Sequence, residues 1–298
     1  MLKVKNVTKY YGDFKAVDNI SFEVKEGCIF GLLGVNGAGK TTTFRMITGL
    51  LDISEGEITL NGHKIDYDIT DQIGFLTEER SLLTKLTVKE QCLFFGALKG
   101  MSDELILKRM NELLEMFEIS EYKDRKIKEL SKGNQQKIQF ITAIIHKPKL
   151  LILDEPFSGL DPINVELFKK VILKLAHDGS AIIFSSHRME HVELFCENLM
   201  ILVHGKAVLE GNLKDIKEAF QKKSIFIRGS LKIDDIKNIP GVVNVTKIND
   251  EFKVQIQSKD YIDQVFDNIK KFKINKFVVE EPSLNDIFVE KVGESYEK

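Results

Sequence analysis

The fold class that the sequence predicts is α/β, a parallel-stranded domain organised around a glycine-rich turn, followed by a small α+β domain. Three observations carry this. The apolar run 28–33 leads into Gly34-Val35-Asn36-Gly37-Ala38-Gly39-Lys40-Thr41-Thr42 and then into the helical pattern Phe44-Arg45-Met46-Ile47, which is strand, turn and helix in succession. Two more unbroken apolar runs, 150–153 and 181–184, read as strands buried in the middle of a parallel sheet. The tail 222–298 alternates in β-α-β-β-α-β order, a ferredoxin-like arrangement.

A chain of 298 residues fits two domains, one large and one small. With 43% hydrophobic and 30% charged residues it reads as an ordinary soluble protein. A formal charge of −2 gives no electrostatic case for wrapping nucleic acid, so no nucleic-acid partner is expected. Cys28, Cys92 and Cys196 are odd in number, scattered and set among apolar neighbours. That argues against a disulfide framework or zinc site and for small buried hydrophobes in a reducing cytosol. Met1-Leu2-Lys3-Val4-Lys5 alternates like a strand and lacks the apolar core of a signal peptide. No run approaches the roughly 18–20 apolar residues needed to span a bilayer, so work at a membrane requires another subunit to hold the chain there.

Taken in order, residues 2–33 read as strands with a turn at Gly12-Asp13. Tyr11 is an aromatic on a loop before that turn. It reads either as a hairpin tyrosine or as a flat surface on which a nucleotide base stacks. In the glycine-rich turn, consecutive backbone N–H groups point inward at an anion, and the helix behind adds its partial positive charge. Lys40 is placed to reach the β- and γ-phosphates of a nucleotide, and Thr41 offers a hard oxygen to Mg²⁺.

Residues 55–60 form a strand closed by the Asn61-Gly62 turn, and the strand 73–76 runs into Thr77-Glu78-Glu79-Arg80. From Thr87 to His146 the period turns helical, with Val88, Cys92, Phe95 and Leu98 on one helix and Leu105, Met110, Leu113, Leu114 and Phe117 on another. This helical insert occupies about 87–145. Ser131 opens a further helix and has the position of an ordinary N-cap.

The run 150–153 ends in Asp154 and Glu155, and the run 181–184 ends before His187; ligands in open α/β sheets bind at such carboxyl ends. His187 and His191 are one helical turn apart, but Arg188 stands where a zinc protease needs glutamate and no third ligand suggests itself. Strands at 199–203 and 207–210 follow, and the first domain, 1–215, ends near Asp215.

With Lys40, Ser131, Asp154, Glu155 and His187 in this order, residues 1–215 resemble the ATP-binding subunit of an ABC transporter, a P-loop NTPase domain with a helical subdomain. The resemblance implies a dimer, either a homodimer or a paired ATPase subunit, with two ATP molecules sandwiched head to tail. Gly34, Asn36, Gly37, Ala38, Gly39, Lys40, Thr41 and Thr42 then bind ATP on one face, and Tyr11 stacks on adenine. Asp154 holds Mg²⁺ through water beside Thr41, Glu155 polarises the attacking water, and His187 contacts the γ-phosphate. Ser131 and Gly133 meet that phosphate from the partner subunit, and Asp161 lies in the loop crossing the interface.

The resemblance further implies an exporter-type assembly with a separate transmembrane permease, at the cytoplasmic face of the cell membrane. Two positions depart from the pattern. The signature Leu-Ser-Gly-Gly-Gln reads here with Lys132 and Asn134 at its third and fifth positions, while Ser131 and Gly133 are kept. Glu78 stands where the family has a glutamine near Mg²⁺, and the γ-phosphate repels a carboxylate.

The tail predicts strand 224–228, helix 231–238, strands 242–248 and 252–257, helix 261–272 and strand 276–280. Its closing Glu281-Pro282-Ser283-Leu284-Asn285-Asp286-Ile287-Phe288 resembles the end of an accessory domain of bacterial ABC exporters. A packing or dimer-stabilising module and a ligand sensor are both open for it. The rival classes are a soluble ABC ATPase acting on ribosomes or DNA, and a regulatory module that scarcely turns over.

Overall fold

The computed structural model describes residues 1–66, 68–79, 81–220 and 223–296. Lys222 and Lys298, the bounds of the predicted second domain, and Arg80 lie outside the described residues. The chain divides into two compact units, Met1–Glu210 and Gly211–Lys298.

The first unit holds two sheets. In the smaller one, β1 (Leu2–Tyr11) pairs antiparallel with β2 (Phe14–Val24) and β4 (Glu55–Leu60), and β5 (His63–Lys64) lies beyond β4. The larger sheet runs β10 (Lys206–Asn212), β9 (Asn198–Val203), β3 (Ile29–Gly34), β8 (Ala181–Ser185), β7 (Leu150–Asp154), β6 (Ile73–Leu76). Its pairs from β9 through β6 are parallel. Every residue of β3, β7 and β8 is buried, as their unbroken apolar runs require of strands covered on both faces. Leu32, Phe44, Ile152, Ile183 and Met200 belong to the core that fills the unit. The parallel arrangement brings the carboxyl ends of β3, β7 and β8 to one edge, where Lys40, Asp154 and Glu155, and His187 follow them.

Helix α1 (Lys40–Ile47) follows β3. Three helices make up the insert: α2 (Val88–Leu98), α3 (Asp103–Met116) and α4 (Lys132–Ile144). Thr87 and Glu90 cap α2 reciprocally. Two apolar positions assigned to buried faces are corrected. Leu105 is 46% and Leu98 62% exposed, because the inward stripe of α3 is Ile106, Met110, Leu113 and Leu114, and that of α2 is Val88, Gln91, Cys92 and Gly96. Helix α5 (Pro162–His177) and the short α6 (Met189–Phe195) complete the unit. Cys92 and Cys196 are buried, Cys28 only partly.

Between Glu210 and the second unit's sheet, α7 (Leu213–Ala219) belongs to the second unit, so the division falls ahead of Asp215. The helix buries no residue, which is why no apolar period announces it; the Asn212 carboxamide starts it by accepting the Lys214 and Asp215 N–H groups. The sheet of the second unit runs β12 (Val242–Ile248), β13 (Glu251–Ile256), β11 (Lys223–Gly229), β14 (Ile274–Glu280), antiparallel throughout, which is the ferredoxin-like order.

Its helices are shorter than the sequence predicts: α8 (Asp234–Lys237), because the Asp235 carboxylate takes the Lys232 N–H and holds the entry as a turn, and α9 (Ile262–Ile269). Ile225, Ile227, Val254, Ile256, Val265 and Ile269 form its core. A closing helix, α10 (Leu284–Tyr296), is additional to the predicted elements. Ser283 and Asp286 cap it, and Asp286 is paired with Lys253 at 2.9 Å.

Candidate functional site

The glycine-rich turn joins β3 to α1. Gly39 is the N-cap of α1, at φ +104°, where a Cβ would stand 2.7 Å from the Ala16 carbonyl oxygen. No other residue fits there, and a glycine cap leaves the first-turn N–H groups without a side-chain acceptor. That suits an anion at the helix N-terminus. Asn36 and Gly37 are exposed at the crown of the turn. Ala38 differs from the others, its methyl packed in the core and its N–H given to the Val35 carbonyl at 3.1 Å.

Lys40 Nζ donates to the Gly34 and Val35 carbonyls at 2.8 and 3.2 Å. Burial pushes its ammonium below the ordinary lysine value, while the charges of Asp154, Glu155 and Glu78 pull it back up. These four groups therefore share one electrostatic environment. Asp154, the last residue of β7, is buried, and burial raises its carboxyl above the usual range. The Ser185 hydroxyl, Lys40 and Thr41 oppose that rise, and Glu78 adds to it. Thr41 and Asp154 together supply the hard oxygens that Mg²⁺ prefers, and they stand beside the glycine cradle, so the residues present fit that ion with a nucleotide phosphate.

Glu155 has φ +50°, a left-handed conformation for a non-glycine residue. Burial raises its carboxyl; the neighbouring His187 acts in the opposite direction, with Nδ1 2.8 Å from Glu155 Oε2. His191 lies apart from this pair's chemistry, buried with its ring edge-on to Phe157 at 4.8 Å.

Ser185 and Gln136 are residues that the motif reading passed over. Parallel pairing of β7 and β8 sets Asp154 opposite Ser185, whose hydroxyl donates to Asp154 Oδ1 at 2.6 Å and accepts the Glu155 N–H at 3.1 Å. Gln136 Nε2 donates to the Pro156 carbonyl at 2.7 Å, pinning the exit of the same strand to α4. The signal for Ser185 was its place at the end of an apolar strand; Gln136 carried none beyond following Ser131.

The remaining expected site residues fall elsewhere on the unit. Ser131 caps α4, its hydroxyl accepting the Asn134 N–H at 3.3 Å. Asp161 caps α5 through Asn164, accepting its backbone N–H at 2.9 Å and its side-chain amide at 2.6 Å. A Cβ on Gly133 would lie 3.6 Å from Asn164 Nδ2, so Ser131, Gly133 and Asp161 form a second patch. Tyr11 is not on a loop: it ends β1, paired with Phe14 across the hairpin, because the strand alternation continues up to Gly12. It is 48% exposed with the Lys9 ammonium 5.6 Å from its ring.

Comparison with known proteins agrees with this construction. Residues 17–158 match the family model described as ABC transporter, and residues 211–292 match that of the C-terminal domain of DrrA1-3-like ATP-binding proteins. The chain is 51% identical to the uncharacterized ABC transporter ATP-binding protein YhaQ of Bacillus subtilis, over the whole of both chains. It is 32% identical to the linearmycin resistance ATP-binding protein LnrL of the same organism, over 98% of each. Among solved structures, the dimeric post-hydrolysis state of the ATP-binding cassette MJ0796, bound to ADP and Pi, superposes with a TM-score of 0.65 at 30% identity, covering 72% of this chain and 99% of that one. Among the described residues no helix is long and apolar enough to cross a membrane. A nucleotide-shaped turn, carboxylates at the strand ends beside it and a relative alike from end to end agree on one conclusion: the chain belongs to the ATP-binding subunits of ABC transporters, ATPases built on the P-loop fold.

Proposed function

We propose that this subunit works in a pair, a homodimer or with a second ATPase subunit, and drives export through a separate transmembrane permease at the cytoplasmic face of the cell membrane. The observation that carries the pairing is the separation of the expected site residues into two patches, Lys40 with Asp154 and Glu155, and Ser131 with Gly133 and Asp161. Each patch is half of what phosphoryl transfer needs. Two chains set head to tail complete two sites, each between the Lys40 turn of one and the Ser131 turn of its mate. The dimeric cassette found among the similar structures supports that reading, and the resistance named for LnrL supports export.

In this scheme Tyr11 stacks on the base, and the turn from Gly34 to Thr42 cradles the phosphates. Lys40 exchanges the Gly34 and Val35 carbonyls for phosphate oxygens. Mg²⁺ would be held by Thr41 and Asp154, and when bound it would supply charge neutralisation on the phosphates. Glu155, with its carboxyl raised by burial, takes the proton of the attacking water. His187 holds the Glu155 carboxylate in place and faces the terminal phosphate. Ser131 and Gly133 donate to that phosphate from the mate, helped by the α4 N-terminus.

The test has two arms. The purified full-length chain is expected to hydrolyse ATP and, as Glu155→Gln, to elute as an ATP-dependent dimer on gel filtration. Co-expressed with its adjacent reading frames, it is expected in the membrane fraction. A chain that binds ATP without turnover, or that stays wholly soluble beside those products, sinks the corresponding half of the proposal.

A further inference from the structure

Gln139 is a polar residue on the inward face of α4, 6% exposed, between Ile138 and Phe140, which are fully buried. An amide in such a place destabilises the fold unless it is hydrogen-bonded, whereas an apolar residue of equal length would pack there freely. Its Nε2 donates to the Glu79 carbonyl at 3.0 Å and the Thr77 carbonyl at 3.2 Å, and lies 3.4 Å from Thr77 Oγ1. Both amide hydrogens are thus spent on the carbonyls of the two residues on either side of Glu78. The loop is further tied by the Thr77 hydroxyl, which donates to the Glu79 carbonyl at 2.6 Å. The Glu78 side chain is left exposed, with its charge felt by Lys40 and Asp154.

The helix that makes this contact is continuous from Ser131 to the sheet. Its far end lies directly on β6, where a Cβ on Gly74 would come within 2.3 Å of the Ala143 carbonyl oxygen. The strand so pressed is the one that leads into Thr77. Gln139 also lines a cavity of about 730 Å³ with Phe75, Phe95, Lys99 and His146.

We propose that Gln139 is a positioning residue that clamps the Glu78 loop to α4, so that Glu78 and Ser131 move as one body. On the two-site reading above, on which this rests, Glu78 faces the nucleotide of its own chain and Ser131 that of the mate. The clamp then ties the state of one nucleotide to the placement of the group that serves the other.

The test compares full-length wild type, Gln139→Met and Gln139→Glu. Methionine keeps length and packing without donors; glutamate sets carboxylate oxygens against two carbonyls. Helix α4 stays anchored by Phe140, Ile141, Ile144 and the Gln136 bond to Pro156. Amide hydrogen exchange of the nucleotide-free chain is expected to quicken at least tenfold in the segment 76–79, more in Gln139→Glu, with β3 and β7 unchanged. Turnover is expected to fall at least tenfold with KM for ATP within twofold, the mark of an interaction absent from simple binding. Unchanged exchange at 76–79, or a uniform rise across the unit with a proportional change in kcat and KM, overturns the clamp. Absence of ATP turnover in wild type instead overturns the proposed function, and the exchange measurement still decides the clamp.

Discussion

His187 Nδ1 lies 2.8 Å from Glu155 Oε2, so the group expected to take a proton is held by a neighbour on the adjoining strand end. If Glu155 is the general base, Glu155→Gln keeps the shape and removes the basicity. Turnover is expected to fall by about 10²–10⁴-fold with ATP binding retained. Steady-state phosphate release together with nucleotide binding measures both.

Ser185 is the next residue to test. Ser185→Ala takes away the hydroxyl that donates to Asp154 and accepts from the Glu155 N–H, leaving a buried carboxylate short of a partner. The expected loss is about 1–3 kcal/mol of stability, read as a lower urea midpoint at unchanged slope. The concentration of Mg²⁺ giving half-maximal turnover is expected to rise as well, because the Asp154 oxygens are no longer fixed.

The stability of the first unit is expected to depend on His146. Its Nε2 lies 3.2 Å from the Ile73 carbonyl oxygen and its buried Nδ1 has no hydrogen-bond partner among the described residues; burial and then the Lys99 charge pull the ring down to about 4, against the bond to the Ile73 carbonyl and then the Asp71 charge. The folded pKa is depressed for a cationic acid, so the unfolded chain takes the proton first as pH falls. Stability is therefore full above the ordinary histidine value and declines from about 6.5 toward 4, by about 2 kcal/mol between pH 7 and pH 5. Urea unfolding across that window, with His146→Gln flattening the slope, checks the sign and the size.

Gly74→Ala tests the seating of α4 on β6. The added methyl meets the Ala143 carbonyl oxygen at 2.3 Å, backbone that cannot swing aside as a side chain can. A loss of about 1–3 kcal/mol is expected, with thermal unfolding as the measurement. Gly62→Ala makes a useful contrast, since its Cβ meets nothing within 4 Å and any cost comes from its φ of +84° alone.

Much of this protein was legible in the chain. Apolar runs without alternation identified β3, β7 and β8, because strands covered on both faces have no polar side to show. The glycine spacing located the phosphate turn, because backbone N–H groups can converge on an anion only where side chains are absent. The tail's element order located the ferredoxin-like sheet. Helix α7 escaped because it buries no residue and a cap alone starts it, whereas α10 does carry a stripe, Leu284, Ile287 and Val292, that the reading of the tail as ending at its last strand passed over; Leu105 was misplaced by one position because Ile106 competes for the same stripe.

What local order determined, then, was which chemical groups the chain carries and which of them end strands. Which of those groups meet was decided only by the folded sheet: parallel pairing in register set Ser185 against Asp154, and helix α4 crossing from Ser131 to β6 set Gln139 against the Glu78 loop. Those partners lie 31 and 60 residues apart in sequence. Hydrogen bonds reach about 3 Å, so sequence periodicity, which reports one element at a time, holds no trace of them.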